Sequence, residues 1–123
     1  MSKRTTIFFV VVALVAILIA GCGGSGGTGA SSAGLNITVT NTEFKFDPAE
    51  ITAAPGQTVN LTVKNAGSIQ HTWILAAANV KLTVDPGQTV TKTFTAPAAG
   101  TYEITCDVPG HKEAGMVGKL TVK

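Results

Sequence analysis

The chain has 123 residues, 45% of them hydrophobic and 13% charged, with nine Lys and Arg against seven Asp and Glu. That length gives one ordinary domain and excludes a large multidomain enzyme. Beyond the first 21 residues seven basic and seven acidic side chains balance, and no Lys/Arg cluster offers phosphates a face, so nucleic-acid binding is excluded.

The chain opens with Ser2-Lys3-Arg4 and then an unbroken apolar run of 14 residues, Ile7 to Ala20. The run fits the apolar core of an export signal and falls short of the ~20 residues a spanning helix needs. It ends in Leu18-Ile19-Ala20-Gly21-Cys22, which resembles the bacterial lipobox. The resemblance implies a lipoprotein signal peptide over residues 1–21, with Cys22 lipidated on sulfur as the new N-terminus. A simple signal peptide with a chance cysteine, or an uncleaved anchor, is the alternative. Residues 22–34 hold the lipidated Cys22 and a Gly/Ser-rich stretch that cannot bury a core, a flexible linker reaching roughly 20 Å on average. The expected location is extracytoplasmic, lipid-anchored to a bacterial membrane on its periplasmic or outer face.

Residues 35–123 read as strands. Leu35, Ile37 and Val39 alternate with polar residues, as do Val59, Leu61 and Val63. Trp73 and Leu75 share a face after His71, Tyr102, Ile104 and Cys106 share another, and Met116, Gly118, Leu120 and Val122 are in phase. Asp47-Pro48, Pro55-Gly56, Asn65-Ala66-Gly67, Asp85-Pro86-Gly87 and Pro97 to Gly100 mark turns. Pro-Gly-Gln-Thr-Val occurs at 55–59 and at 86–90, in each case a turn feeding a strand. Phe44, Phe46 and Trp73 are assigned to the core, and Lys45, Lys64, Lys81, Lys92 and Lys119 to a solvated face. The expected class is all-β, a sandwich or small barrel.

The chemistry lies towards the C-terminus. With Cys22 lipidated, Cys106 is the single thiol and no intrachain disulfide forms. The histidines are His71 and His111, and beyond the initiator the one methionine is Met116. Cys106, His111 and Met116 form Cys-x4-His-x4-Met. Two imidazoles, a thiolate and a thioether are the donor set of a type 1 blue copper site, with His2Cys in a plane and Met weakly axial. Pro109 and Gly110 stiffen and bend the loop that returns His111 towards Cys106. His71, on another strand, is expected to complete the site from across the sandwich.

Gln70-His71-Thr72-Trp73-Ile74-Leu75 and the run from Thr101 to Val122 resemble the small cupredoxins, the auracyanin/plastocyanin-like members above all, over essentially residues 35–123. The resemblance implies a Greek-key β-sandwich and one-electron transfer by a single copper. It makes His71, Cys106 and His111 the equatorial ligands and Met116 the axial one. Thr72 stands where many relatives carry Asn, and Gln70 where azurin-like members carry Gly. Asp107, beside the cysteine, would favour Cu(II) and lower the potential. The expected partners are membrane-associated redox proteins such as cytochromes or oxidase and reductase complexes, met by a monomer.

Two histidines are too few for a multicopper oxidase or nitrite reductase, and one cysteine is too few for a binuclear copper centre. No enzyme is therefore expected. Zinc leaves the thioether unexplained. The competing functions are a copper-binding or copper-delivery lipoprotein and a metal-free immunoglobulin-like adhesion domain.

Overall fold

The computed structural model describes residues 33–123. The expected signal peptide, Cys22 and all but the last two linker residues lie outside the described residues.

Among the described residues nine strands follow in chain order: β1 (Leu35–Thr42), β2 (Lys45–Asp47), β3 (Glu50–Ala53), β4 (Thr58–Asn65), β5 (His71–Leu75), β6 (Val80–Val84), β7 (Thr89–Thr95), β8 (Gly100–Thr105) and β9 (Val117–Val122). A 3-10 turn, Ala76–Ala78, links β5 to β6. One sheet has the order β2-β1-β4-β7 and the other β3-β9-β8-β5-β6. β1 runs parallel to β4, and β3 to β9, while the remaining pairs are antiparallel. The chain crosses between sheets after β2, β3, β4, β6 and β7. This is the two-sheet sandwich the alternations anticipate.

The alternations define the core. In β4, Val59, Leu61 and Val63 are buried while Thr58, Asn60 and Lys64 face water. They pack with Val39 and Phe46 from the same sheet and with Trp73, Leu75, Leu82, Val84, Ile104 and Leu120 from the other. Each buried aliphatic side chain contributes about 1.5–3 kcal/mol by leaving water. Both Pro-Gly-Gln-Thr-Val segments are turns that hand the chain into a strand, β4 and β7, and those two strands pair antiparallel. All five lysines assigned outward are exposed.

Three strands lie outside the sequence-derived set, and a fourth, β7, is expected only as the strand its Pro-Gly-Gln-Thr-Val turn feeds. β2 and β3 have three and four residues, too few to display a period. β7 is polar and largely exposed at the edge of its sheet. β6 does alternate, with Val80, Leu82 and Val84 buried, but it follows directly on the apolar stretch of β5 and the Ala-rich turn. Phe44 also departs from expectation. Phe46 is 1% exposed and belongs to the core, whereas Phe44 is 42% exposed at the surface. Thr42 pairs with Lys45 across a two-residue hairpin loop, Glu43-Phe44, so alternation cannot carry Phe44 inward.

Candidate metal centre

His71 opens β5, Cys106 directly follows β8, and these two strands are neighbours in the five-stranded sheet, where Ile74 pairs with Thr105. The expectation that His71 arrives from across the sandwich is therefore corrected. It comes from the next strand of the same sheet, because the crossover after β4 delivers β5 to β8. Asn65, the last residue of β4, organises that crossover. Its buried amide donates to the carbonyls of Ile69 (2.7 Å) and Val84 (2.9 Å), and its Oδ1 accepts from the Gly67 N–H (2.9 Å). Val84 is the register partner of His71, so one side chain ties the approach loop to the strand flanking the histidine.

The remaining donors come from the segment between β8 and β9. The His111 N–H donates to the Val108 carbonyl, Ala114 to Gly110, Gly115 to Lys112 and Met116 to His111, at 2.9–3.0 Å. Gly110 and Gly115 take φ of +85° and +103°, conformations that residues with a Cβ rarely adopt, and so let the segment close on itself within a few residues. A compact loop with its own hydrogen bonds thus sets His111 and Met116. Both are buried, at 4% and 0% exposure, although Pro109, Gly110, Ala114 and Gly115 around them face solvent.

The donor atoms of His71, Cys106 and His111 all lie within 4.8 Å of one another, and all three residues are buried. The two Nδ1 atoms are 3.2 Å apart, and Cys106 Sγ is 3.4 Å from His111 Nδ1. Both separations subtend roughly 100° at an ion held at the ~2.0–2.3 Å typical of imidazole nitrogen and thiolate sulfur. The arrangement fits a single metal ion shared by three converging lone pairs. Burial draws the His71 pKa below its ordinary value, reinforced by the neighbouring His111 and opposed by Glu43, which favours the neutral imidazole that can ligate. Among the described residues its Nε2 has no hydrogen-bond partner, which leaves Nδ1 as the nitrogen engaged by the cluster.

Around the sulfur the sheet supplies polar company. The Thr72 N–H reaches Cys106 Sγ at 3.4 Å, and the Thr72 hydroxyl lies 3.5 Å from it. Asp107 turns its carboxylate to Thr72 and Lys81. Its Oδ1 accepts from the Thr72 hydroxyl at 2.8 Å and its Oδ2 from the Lys81 ammonium, while its own N–H donates to Thr72 Oγ1 at 2.9 Å. These bonds, Lys81 first and Thr72 second, hold its carboxyl below the usual carboxylate range. The negative charge anticipated beside the sulfur is thus paired with an ammonium.

Phe44 escaped the sequence reading of the site. Its ring meets His111 edge-on, with centroids 5.2 Å apart and planes at 85°. Its φ of +63° puts a bulky residue at the second loop position, where a hairpin of this geometry ordinarily uses Gly or Asn. The turn is fastened by Glu43, whose carboxylate accepts from the Ser68 N–H. The signal available in the sequence was an aromatic residue inside a two-residue turn, which alternation alone does not flag.

The family model described as a cupredoxin-like domain matches residues 9–122. The chain is 38% identical over 111 residues to auracyanin-A of Chloroflexus aurantiacus, covering 65% of this chain and 68% of that protein. It is 35% identical over 107 residues to the copper-resistant cuproprotein CopI of Rubrivivax gelatinosus, covering 69% of this chain and 64% of that protein. The chain therefore spans about two thirds of the length of each of these relatives. Among solved structures, the dithionite-reduced auracyanin of Roseiflexus castenholzii superposes with a TM-score of 0.66 at 28% identity, covering 72% of this chain and 96% of that one.

Proposed function

This chain belongs to the cupredoxin-like family, and we propose that it carries single electrons through one type 1 copper held by His71, Cys106, His111 and Met116, without catalysing a reaction of its own. The observation that carries the reading is the convergence of two imidazole nitrogens and a thiol sulfur on buried residues, with His111 Nδ1 3.2 Å from His71 Nδ1 and 3.4 Å from Cys106 Sγ, and all three donor atoms within 4.8 Å of one another. Bound copper supplies a one-electron Cu(I)/Cu(II) couple.

The chain's own contribution is constraint. Neighbouring strands fix His71 and Cys106, and a hydrogen-bonded loop fixes His111 and Met116, so the donors keep their places when the charge between them changes. Met116 would supply a fourth, thioether donor. It is fully buried, and its N–H is tied to the His111 carbonyl at 2.9 Å. The core side chains and Phe44 exclude water, and the His111 ring lies close beneath the surface formed by Phe44 and the small residues of the ligand loop. That face is where a redox partner approaches most closely. The partners are membrane-associated redox proteins, met by a domain held at the membrane through Cys22.

The likeness to a copper-resistant cuproprotein favours a second reading, in which the same site sequesters or delivers copper. One experiment separates the two. The purified chain is titrated with Cu(II), its visible spectrum recorded and its voltammetry measured. Intense sulfur-to-copper colour, a reversible one-electron wave and copper retained against a competing chelator support the carrier. Loss of the metal to the chelator or to an acceptor protein supports delivery. Cys106→Ser abolishes the colour in either case, and a chain that stays pale with Cys106 intact ends the copper reading.

A further inference from the structure

The Thr72 hydroxyl lies among three partners but carries one hydrogen. Cys106 Sγ is 3.5 Å away, Asp107 Oδ1 2.8 Å and the Asp107 N–H nitrogen 2.9 Å. The last contact uses a hydroxyl lone pair, because the amide is the donor. An ionised carboxylate can only accept, so the short contact to Oδ1 requires the hydroxyl hydrogen. The ammonium of Lys81 bonds the second carboxylate oxygen, which leaves Oδ1 to face the Thr72 hydroxyl. What then faces the sulfur from Thr72 Oγ1 is oxygen without its hydrogen. Thr72 itself is 4% exposed, so water has little access to its hydroxyl, although the Asp107 side chain is about half exposed.

We infer that Asp107, oriented by Lys81, is a positioning residue that withholds the Thr72 hydroxyl hydrogen from Cys106, leaving the thiolate with one protein hydrogen bond, from the Thr72 N–H, where two are within reach. Hydrogen bonds on a coordinating sulfur draw electron density from it and stabilise the reduced metal, so the number of such bonds sets part of the reduction potential. The withheld bond keeps the potential lower than the same pocket would otherwise give. The Asp107 charge works in the same direction, but it acts through space and independently of the hydroxyl. The inference rests on the copper reading proposed above.

The test separates the two contributions with a double-mutant cycle on the copper-loaded chain, read by midpoint potential and by the sulfur-to-copper band. Asp107→Ala frees the hydroxyl and raises the midpoint. Thr72→Val removes the hydroxyl while keeping the backbone N–H. In the parent chain it moves the midpoint and the band little, whereas in the Asp107→Ala background it lowers the midpoint and reverses much of the rise. The loss of the Asp107 charge is common to both variants of that background and cancels. Equal lowering by Thr72→Val in both backgrounds, or no lowering in either, overturns the inference.

Thr72→Ser keeps a hydroxyl and restores the Thr72 behaviour in each background. Should the valine variants not fold, the copper–sulfur stretching frequency in H2O and D2O gives the same answer without them. The Asp107→Ala chain shows a larger deuterium shift than the parent, and an unchanged shift overturns the inference. A chain that is blue but fails these comparisons loses only this inference. A colourless parent chain loses the copper reading itself.

Discussion

β4 and β5 cross the same sandwich in different sheets and follow different rules. β4 alternates along its length, with Val59, Leu61, Val63 and Asn65 buried between residues that are exposed or half-buried. β5 buries His71, Thr72 and Trp73 in succession. In β4, burial is set by the hydrophobic effect, and period two is its signature. In β5, Thr72 points to the face that alternation would give to water, and it is covered because Cys106 and Asp107 of the neighbouring segment lie over it. Loss of alternation in a short antiparallel strand therefore marks the site, where polar groups are buried because they have partners.

The comparison can be broken most forcefully in β4. Leu61→Ala leaves a cavity at a residue 1% exposed and should cost about 2–5 kcal/mol in denaturant unfolding, with the visible band of the loaded protein unchanged while it stays folded. A band that shifts with Leu61 would show that the core of β4 and the site are not separable. Asn65→Ala tests the one β4 residue that serves both regions. It orphans the carbonyls of Ile69 and Val84 and the Gly67 N–H, at an expected cost of about 1–3 kcal/mol. Unlike Leu61→Ala, it should also broaden the visible band, because the approach to His71 loosens.

Phe44→Gly is expected to leave stability within about 1 kcal/mol of the parent despite deleting a large aromatic side chain. Relief of the left-handed backbone, worth about 1–2 kcal/mol, offsets an aromatic contact worth about 0.5–1.5 kcal/mol. Phe46→Ala, two positions away and in the core, should cost about 3–5 kcal/mol in the same unfolding measurement. A large loss from Phe44→Gly would make Phe44 a core residue after all.

The smallest effect concerns Glu43. Its bond from the Ser68 N–H lowers its pKa below the ordinary carboxylate value, so the ionised form favours the folded turn. The contribution is present above the ordinary Glu pKa of about 4.3 and disappears as pH falls through the lower folded value. Hydrogen exchange at the Ser68 amide, corrected for its intrinsic pH dependence, should rise across that acidic window in the parent chain. In Glu43→Gln it should stay flat.

Much of this molecule was legible in its residues. β1, β4, β5, β8 and β9 follow from alternation, and the turns at Pro55-Gly56 and Asp85-Pro86-Gly87 from their chemistry. His71, Cys106 and His111 follow from inventory and spacing, and the structure brings them together. β2 and β3 were not legible, since three or four residues carry no period, and β7 was marked only by the turn that feeds it, because its edge position leaves it polar. Phe44 was read as core because hydrophobicity is a property of the residue, whereas its exposure follows from sitting inside a two-residue turn.

The linear chain by itself determined which donors exist, which strand faces are apolar and where the backbone must turn, because these depend on side-chain type and on neighbours a few residues away. The three-dimensional packing alone decided that His71 and Cys106 sit on adjacent strands of one sheet, that Phe44 covers His111 and that Asp107 holds the Thr72 hydroxyl. Those relations join residues 35, 67 and 35 positions apart. They depend on how the strands are shared between two sheets, and that is set by burying both apolar faces at once, which no local period encodes.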